Sequence, residues 1–109
     1  MARFEIKTDA AGEFRFNLKA GNGEPILSSE GYRAKSSTLI GIASVRTNST
    51  NDARYDRRVS TAGQPYFVLK AANGEIIGTS EMYSSAVARE TGIASVNGNA
   101  PTAEVVDLT

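Results

Sequence analysis

Slid against itself by 51 residues, the chain matches without a gap. Phe16-Asn17-Leu18-Lys19-Ala20-Gly21-Asn22-Gly23-Glu24 lies over Phe67-Val68-Leu69-Lys70-Ala71-Ala72-Asn73-Gly74-Glu75. Ser29-Glu30-Gly31-Tyr32 lies over Ser80-Glu81-Met82-Tyr83, and Gly41-Ile42-Ala43-Ser44-Val45 repeats unchanged as Gly92-Ile93-Ala94-Ser95-Val96. About 20 of the 51 aligned positions are identical, which marks a duplication. A unit of about 50 residues buries too little apolar surface to be stable alone. The 109 residues are therefore expected to form a single domain of two repeats, 1–51 and 52–109. Residues 52–58 match the chain start and also the tail 103–109, with Asp56 over Asp107. That segment can serve as the last element of the first unit and the first of the second. The most linker-like stretches, 47–51 and 97–101, both follow an expected helix.

Within each unit the patterns predict the same elements. Phe4 and Ile6 alternate with Glu5 and Lys7, then Phe14, Phe16 and Leu18 with Arg15, Asn17 and Lys19, giving two half-buried strands. Asp9-Ala10-Ala11-Gly12 and Ser60-Thr61-Ala62-Gly63 are turns, and Asn22-Gly23 and Asn73-Gly74 signal hairpins. A three-residue hairpin loop with Gly23 left-handed is expected, setting Leu18 opposite Ile26 and Leu69 opposite Ile77. Short third strands fall at 25–29 and 76–80. A helix follows, capped by Ser36 or Ser37 in the first unit and by Ser84 or Ser85 in the second. Ile42 and Val45, with Thr38 or Leu39, make its inner face, as do Ala86, Ile93 and Val96 in the second unit. Asn48, Gly98 and Asn99 suit left-handed helix ends. Closing strands are expected at 53–58 and 104–107. Pro65 has no amide proton, so its strand should lie at an edge or begin later. The expected fold class is α+β: two tandem β-β-β-α-β units sharing one antiparallel sheet, with two helices on one face, a pseudo-twofold axis and exchanged closing strands.

Gly41 and Gly92 sit in the middle of their helices, where glycine costs about 1 kcal/mol relative to alanine. Both units keep it, so another helix or the sheet is expected to approach the helix backbone there, the alternative being a ligand that reaches it, with Ser44 and Ser95 extending the small-residue face. Taken in order, the duplicated stretches around Asn22-Gly23-Glu24, Ser29-Glu30-x-Tyr32 and Gly41-Ile42-x-Ser44-Val45 resemble the YegP-like family of small bacterial and archaeal proteins, over essentially the whole chain. The resemblance implies tandem β3-α-β units sharing one sheet, with closing strands exchanged between units. It also implies single-unit members that form homodimers of the same arrangement. It implies no mechanism.

The residue inventory removes most chemistries. The chain has no His and no Cys, which excludes imidazole catalysis and ligation, thiol chemistry and disulfides. Twelve Lys and Arg balance twelve Asp and Glu, which argues against a protein held to nucleic acid or anionic lipid by bulk charge. No apolar run spans a bilayer and the N-terminus lacks the apolar core of a secretory signal, so a cytoplasmic, membrane-free protein is expected. No Ser-x-x-Lys motif, phosphate loop, calcium loop or zinc spacing is present. Glu24 and Glu75 read as solvated residues leaving a turn. No enzyme activity, cofactor or metal is expected.

Two functional readings remain. The first is a non-enzymatic protein whose sheet and grooves bind another protein or a small molecule, with the polar set where strand hands over to helix as candidate residues: Ser29, Glu30 and Tyr32 with Ser80, Glu81 and Tyr83. Its structural alternative has the tyrosines filling the helix–sheet seam while Ser and Glu satisfy amides, and this filler role is the one expected here. The second is single-stranded nucleic-acid binding through the open sheet face, by Arg15, Asn17, Lys19, Tyr66 and Lys70 around Val68. With the pseudo-dimer internal, the chain should be monomeric, and its partner is not specified by the sequence.

Overall fold

The computed structural model describes all 109 residues. The alternating segments form β1 (Arg3–Thr8) and β2 (Phe14–Lys19), followed by β3 (Pro25–Ser28) and α1 (Lys35–Asn48). A 3-10 turn at Asp52–Arg54 leads into β4 (Tyr55–Val59), β5 (Pro65–Lys70), β6 (Ile76–Thr79), α2 (Ala86–Asn99) and β7 (Glu104–Asp107). One seven-stranded sheet runs in the order β4-β5-β6-β3-β2-β1-β7. Each unit contributes an antiparallel meander, and the two meanders meet where Ser28 of β3 pairs with Thr79 of β6. The expected α+β class and repeat architecture are present.

The exchange of closing strands takes a specific form. After α2 the chain returns to the first unit, where β7 pairs with β1 in parallel, so the sheet is antiparallel in every pairing but this one. The segment at 52–58, which the sequence allowed two roles, becomes the first strand of the second meander: β4 pairs with β5. Nothing occupies the place beside β4 that β7 takes beside β1.

The core is a single cluster of 17 buried residues, drawn evenly from both units. Phe4 meets Phe16 edge-on at 5.9 Å, and the repeat partners Tyr55 and Phe67 meet the same way at 5.6 Å. Fully burying side chains of this size stabilises by roughly 1.5–3 kcal/mol each. The helices interlock the units. α1 packs on β2 and also on β5 and β6 of the other unit, while α2 packs on β5 and on β3.

Several local expectations need correction. The hairpin loop has the expected length: Ala20 N–H donates to Glu24 O at 2.9 Å, and Gly23 is left-handed at φ 85°. The register beyond it differs. Lys19 faces Pro25, then a bulge at Ile26 puts Leu18 opposite Leu27, and a bulge at Ile77 likewise puts Leu69 opposite Gly78. A bulge inserts one residue and re-aims its side chain, so strict alternation could not show it. It also lets Ile26 and Leu27 both be buried.

The helix ends differ as well. Ser85 caps α2 by accepting from Ala88 N–H at 3.0 Å, but α1 begins after Ala34 and has no side-chain cap. Thr38, not Leu39, lies on the inner face of α1, while Ala86 is exposed and Arg89 takes the matching place in α2. Neither helix ends in a left-handed residue. Asn48 and Asn99 are instead the last helical residues, and each turns its side chain back to the Ser four positions earlier. The linker-like stretches are thus partly helical. Pro65 starts β5 inside the sheet, contrary to the edge expectation, because its missing donor costs only one bond at the strand end. Phe14 exchanges two bonds with Tyr32, at 2.7 Å each, whereas Pro65 only accepts from Tyr83 N–H at 2.8 Å.

Candidate functional site

The mid-helix glycines and the seam tyrosines form one contact. A Cβ on Gly41 would stand 2.9 Å from the Tyr32 hydroxyl and 3.1 Å from Phe16 Cε2, and a Cβ on Gly92 would overlap the Tyr83 hydroxyl. Each phenol therefore lies across a helix at the residue that lacks a side chain. Tyr83 also stacks on Phe67 with ring centroids 6.2 Å apart and planes 7° from parallel. Neither phenol hydroxyl bonds to the protein. Burial raises both phenol pKa values, helped by the carboxylates of Glu30 and Glu75 at Tyr32 and of Glu81 at Tyr83.

Above each phenol opens a groove whose far wall comes from the other unit. The first, about 400 Å³, joins Tyr32, Gly41 and Ser44 of the first unit to Ala71, Asn73, Glu75 and Ile77 of the second. The second, about 470 Å³, joins Tyr83, Gly92 and Ser95 to Ala20, Asn22, Glu24 and Ile26. All nine residues lining the second groove are repeat counterparts of residues lining the first, and seven of the nine are identical in both units. Over the whole unit only about 20 of 51 positions are identical, so identity is concentrated here.

Local structure fixes the polar groups on these walls. In the hairpins, Asn22 and Asn73 accept through Oδ1 from Glu24 and Glu75 N–H at 3.0 Å, which leaves the Nδ2 donors free. On the helices, Ser44 and Ser95 carry hydroxyls that accept from Asn48 and Asn99 Nδ2 at 3.3 Å, while the same amides donate to the Ser carbonyls at 2.8 Å. The bulges bring Ile26 and Ile77 to the groove floors. Each groove thus offers a phenol, a serine hydroxyl, a carboxamide and a carboxylate over an apolar floor.

The sequence-predicted sets are divided by the structure. Ser29 Oγ accepts from Phe16 N–H at 2.9 Å and donates to Glu30 O at 2.7 Å, and Ser80 does the same with Phe67 and Glu81. These serines complete the sheet where β3 and β6 leave it, and they face no groove interior of the paired kind. Glu30 is exposed at the edge of the first groove, and Glu81 lies outside the second. Only the tyrosines of the two sets join the matched walls. Glu24 and Glu75, read from sequence as solvated turn residues, are exposed but line the grooves. The sequence signal that could have found them is the retention of Ala-x-Asn-Gly-Glu beyond what a hairpin turn requires.

The open sheet face gives the nucleic-acid reading no support. Its cations are engaged: Lys19 with Glu5 at 2.9 Å, Lys70 with Asp56 at 3.3 Å, and Arg15 with Asp9 at 2.7 Å. Asn17 Oδ1 accepts from Ser28 Oγ at 2.7 Å, Val68 is buried, and Tyr66 is the one aromatic of the set.

A single sheet built from two interlocked repeats, with paired grooves at the unit boundary, defines a duplicated α+β protein. The chain belongs to the family described as Domain of unknown function (DUF1508), which matches it twice, over residues 9–56 and 60–107. It is 56% identical over 106 residues to a UPF0339 protein of Acinetobacter baylyi, covering 97% of this chain and 96% of the relative. The solution NMR structure of yegP from E. coli, a protein of unknown function, superposes with a TM-score of 0.94 at 52% identity, covering 99% of this chain and 93% of that one. That of a UPF0339 protein from Shewanella oneidensis gives 0.93 at 52% identity, over 99% and 92%. No activity is established for these relatives. No helix of this chain is long and apolar enough to cross a membrane.

Proposed function

We propose that the chain is a non-catalytic binding protein, working in the cytoplasm, whose ligand seats in the paired grooves between each helix and the opposite hairpin. One observation carries this reading. The three stretches repeated most faithfully in the sequence converge on the same two surfaces, although each surface draws its walls from different units. Core packing explains Gly41, Gly92 and the tyrosine rings. The hairpin turns explain Asn22 and Asn73, but neither turn nor core explains why exposed Glu24 and Glu75 recur with them. The polar groups favour holding over chemistry: the serine hydroxyls are partnered by carboxamides, which cannot take up a proton as a general base does.

The test is an amide-resolved NMR screen of the intact protein against a library of small polar and amphiphilic fragments. Bound fragments are expected to shift the amides of Gly41, Ser44 and Asn73, and of Gly92, Ser95 and Asn22. Asn73→Ala should remove the first cluster and spare the second. Binding confined to other surfaces, or none across the library, defeats the reading.

A further inference from the structure

We propose that the groove between α1 and the β5–β6 hairpin takes an alkylammonium ion, a free amine whose charge sits on a short apolar stem. This rests on the reading of the grooves as ligand sites and adds the ligand class.

The charge arrangement points to a cation. Glu30 and Glu75 both line this groove, and no Lys or Arg does. Neither carboxylate belongs to an ion pair; Glu13, Glu24, Glu81 and Glu104 are likewise unpaired, but only Glu30 and Glu75 line one groove together. With no Lys or Arg in the lining, two unpaired carboxylates along one groove are a local excess of negative charge. The Tyr32 hydroxyl lies between helix and hairpin with no protein partner, and its oxygen can accept from an ammonium N–H. Burial raises the pKa of that phenol, and both carboxylates add to the rise.

The apolar part of the site points to a stem. Ile40 on α1 is 71% exposed and Ile76 on β6 is 42% exposed, and both line the groove, with Ile77 buried beneath. A bare metal ion or ammonium would leave these side chains wet, while an alkyl chain covers them. A carboxylate or phosphate ligand would meet Glu30 and Glu75 with no Lys or Arg in the lining, and Arg15, the cation that acts on Glu30, is paired with Asp9 at 2.7 Å.

The twin groove serves as an internal control. There Thr91 stands in place of Ile40 and Ala88 in place of Ser37, and Glu24 is the sole carboxylate. It should bind the same amine more weakly.

The experiment uses three probes of matched shape on the intact protein: n-butylammonium, n-butanol and butyrate, each titrated by amide NMR at low salt. n-Butylammonium is expected to shift Gly41, Ser44 and Asn73 at concentrations at least about threefold lower than it needs at Gly92, Ser95 and Asn22. Glu75→Gln and Glu30→Gln should each weaken it about two- to fivefold, as expected for partly exposed ion pairs. Both glutamates are exposed and unpaired, so the variants should fold, and their amide spectra report it directly. If butanol or butyrate occupies the groove as tightly as the amine, the amine assignment falls while the groove remains a ligand site. If the amine's shifts survive in the Glu30→Gln/Glu75→Gln double variant, the charge assignment falls likewise. If none of the three probes, nor any fragment of the screen, moves the groove amides, both readings fall together.

Discussion

A phenol lying on a glycine ties the fate of two residues nine positions apart in sequence. Replacing Gly92 with alanine improves helix propensity by about 1 kcal/mol. The new Cβ meets the Tyr83 hydroxyl and ring, and overpacking of this kind costs about 1–3 kcal/mol, so Gly92→Ala should destabilise. Tyr83→Ala should cost about 2–4 kcal/mol by removing a ring stacked on Phe67. In the Tyr83→Ala background Gly92→Ala should change sign and stabilise. Urea melts of the four proteins measure the coupling; additive values would show that the contact carries no energy. A second residue-scale prediction concerns Glu5, which is nearly buried on the open face between Arg3 at 2.6 Å and Lys19 at 2.9 Å. The hydrogen bonds from Lys19 and then Arg3 hold its carboxyl below the usual glutamate range. Its contribution is therefore complete above the unfolded value, about 4.3, and is lost as pH falls through the lower folded value. Glu5→Gln should cost about 1–3 kcal/mol at neutral pH, with the gap to the parent protein closing as pH falls from 5 to 2. A gap that stays constant with pH would show that the charge is not what matters. At this scale the sequence was legible for the tyrosines and glycines separately. Their contact was not, because the eight residues between Tyr32 and Gly41 include the turn into α1, whose angle no periodicity records.

Among the elements, the strands and helices follow from alternation, turn residues and 3–4 spacing, and their bounds agree closely with those patterns. Apart from Pro65 inside the sheet and the uncapped start of α1, the misplaced features are local exceptions to periodicity. The bulges at Ile26 and Ile77 shift the register by one residue just after a correctly read loop. Asn48 and Asn99 end their helices through side-chain bonds to Ser44 and Ser95 instead of through a left-handed backbone. One exception breaks the internal symmetry where the two meanders meet. Leu27 and Gly78 are repeat counterparts, and Leu27 fills the space that Gly78 leaves: a Cβ on Gly78 would stand 2.6 Å from Leu27 Cγ. Gly78→Ala should destabilise by about 1–3 kcal/mol through overpacking. Leu27→Ala alone should cost about 2–5 kcal/mol by leaving a cavity. Gly78→Ala introduced on top of Leu27→Ala should cost less than in the parent, since the space it needs is then free. Thermal melts of the four proteins check this, and equal costs in the two backgrounds would overturn it.

For the whole molecule, the duplication supplies a dimer in one chain, and the broken symmetry decides which halves can pair. The two edges of the sheet are treated differently. Beside β1, β7 is held by Lys35 on Asp107 at 2.7 Å and by Leu108 N–H on Ile6 O at 2.9 Å. Beside β4 the counterparts are altered: Ala86 stands in place of Lys35, and Arg57 stands in place of Ile6, paired with Glu90 and Asp52. Charged side chains on a bare edge discourage strand addition, so the intact chain should be monomeric by light scattering. Cutting it into 1–51 and 52–109 separates two units that each lack their partner's helix and strands. A segment near 50 residues buries too little surface to fold by itself. Self-pairing is disfavoured too. A symmetric dimer of the first fragment would press Leu27 against Leu27, where the intact chain sets Leu27 against Gly78, and a dimer of the second would set Gly78 against Gly78 and leave a hole. The first fragment would also lack β7 along the open edge of β1. Each fragment alone should therefore be largely unfolded, and an equimolar mixture should recover the circular dichroism of the intact protein at the mass of one of each. Leu27→Gly in the first fragment should relieve the clash and raise its tendency to self-pair. A folded monomer of either fragment would contradict the interlocked packing, and a first-fragment homodimer as stable as the mixture would show that Leu27 and Gly78 do not choose the partner.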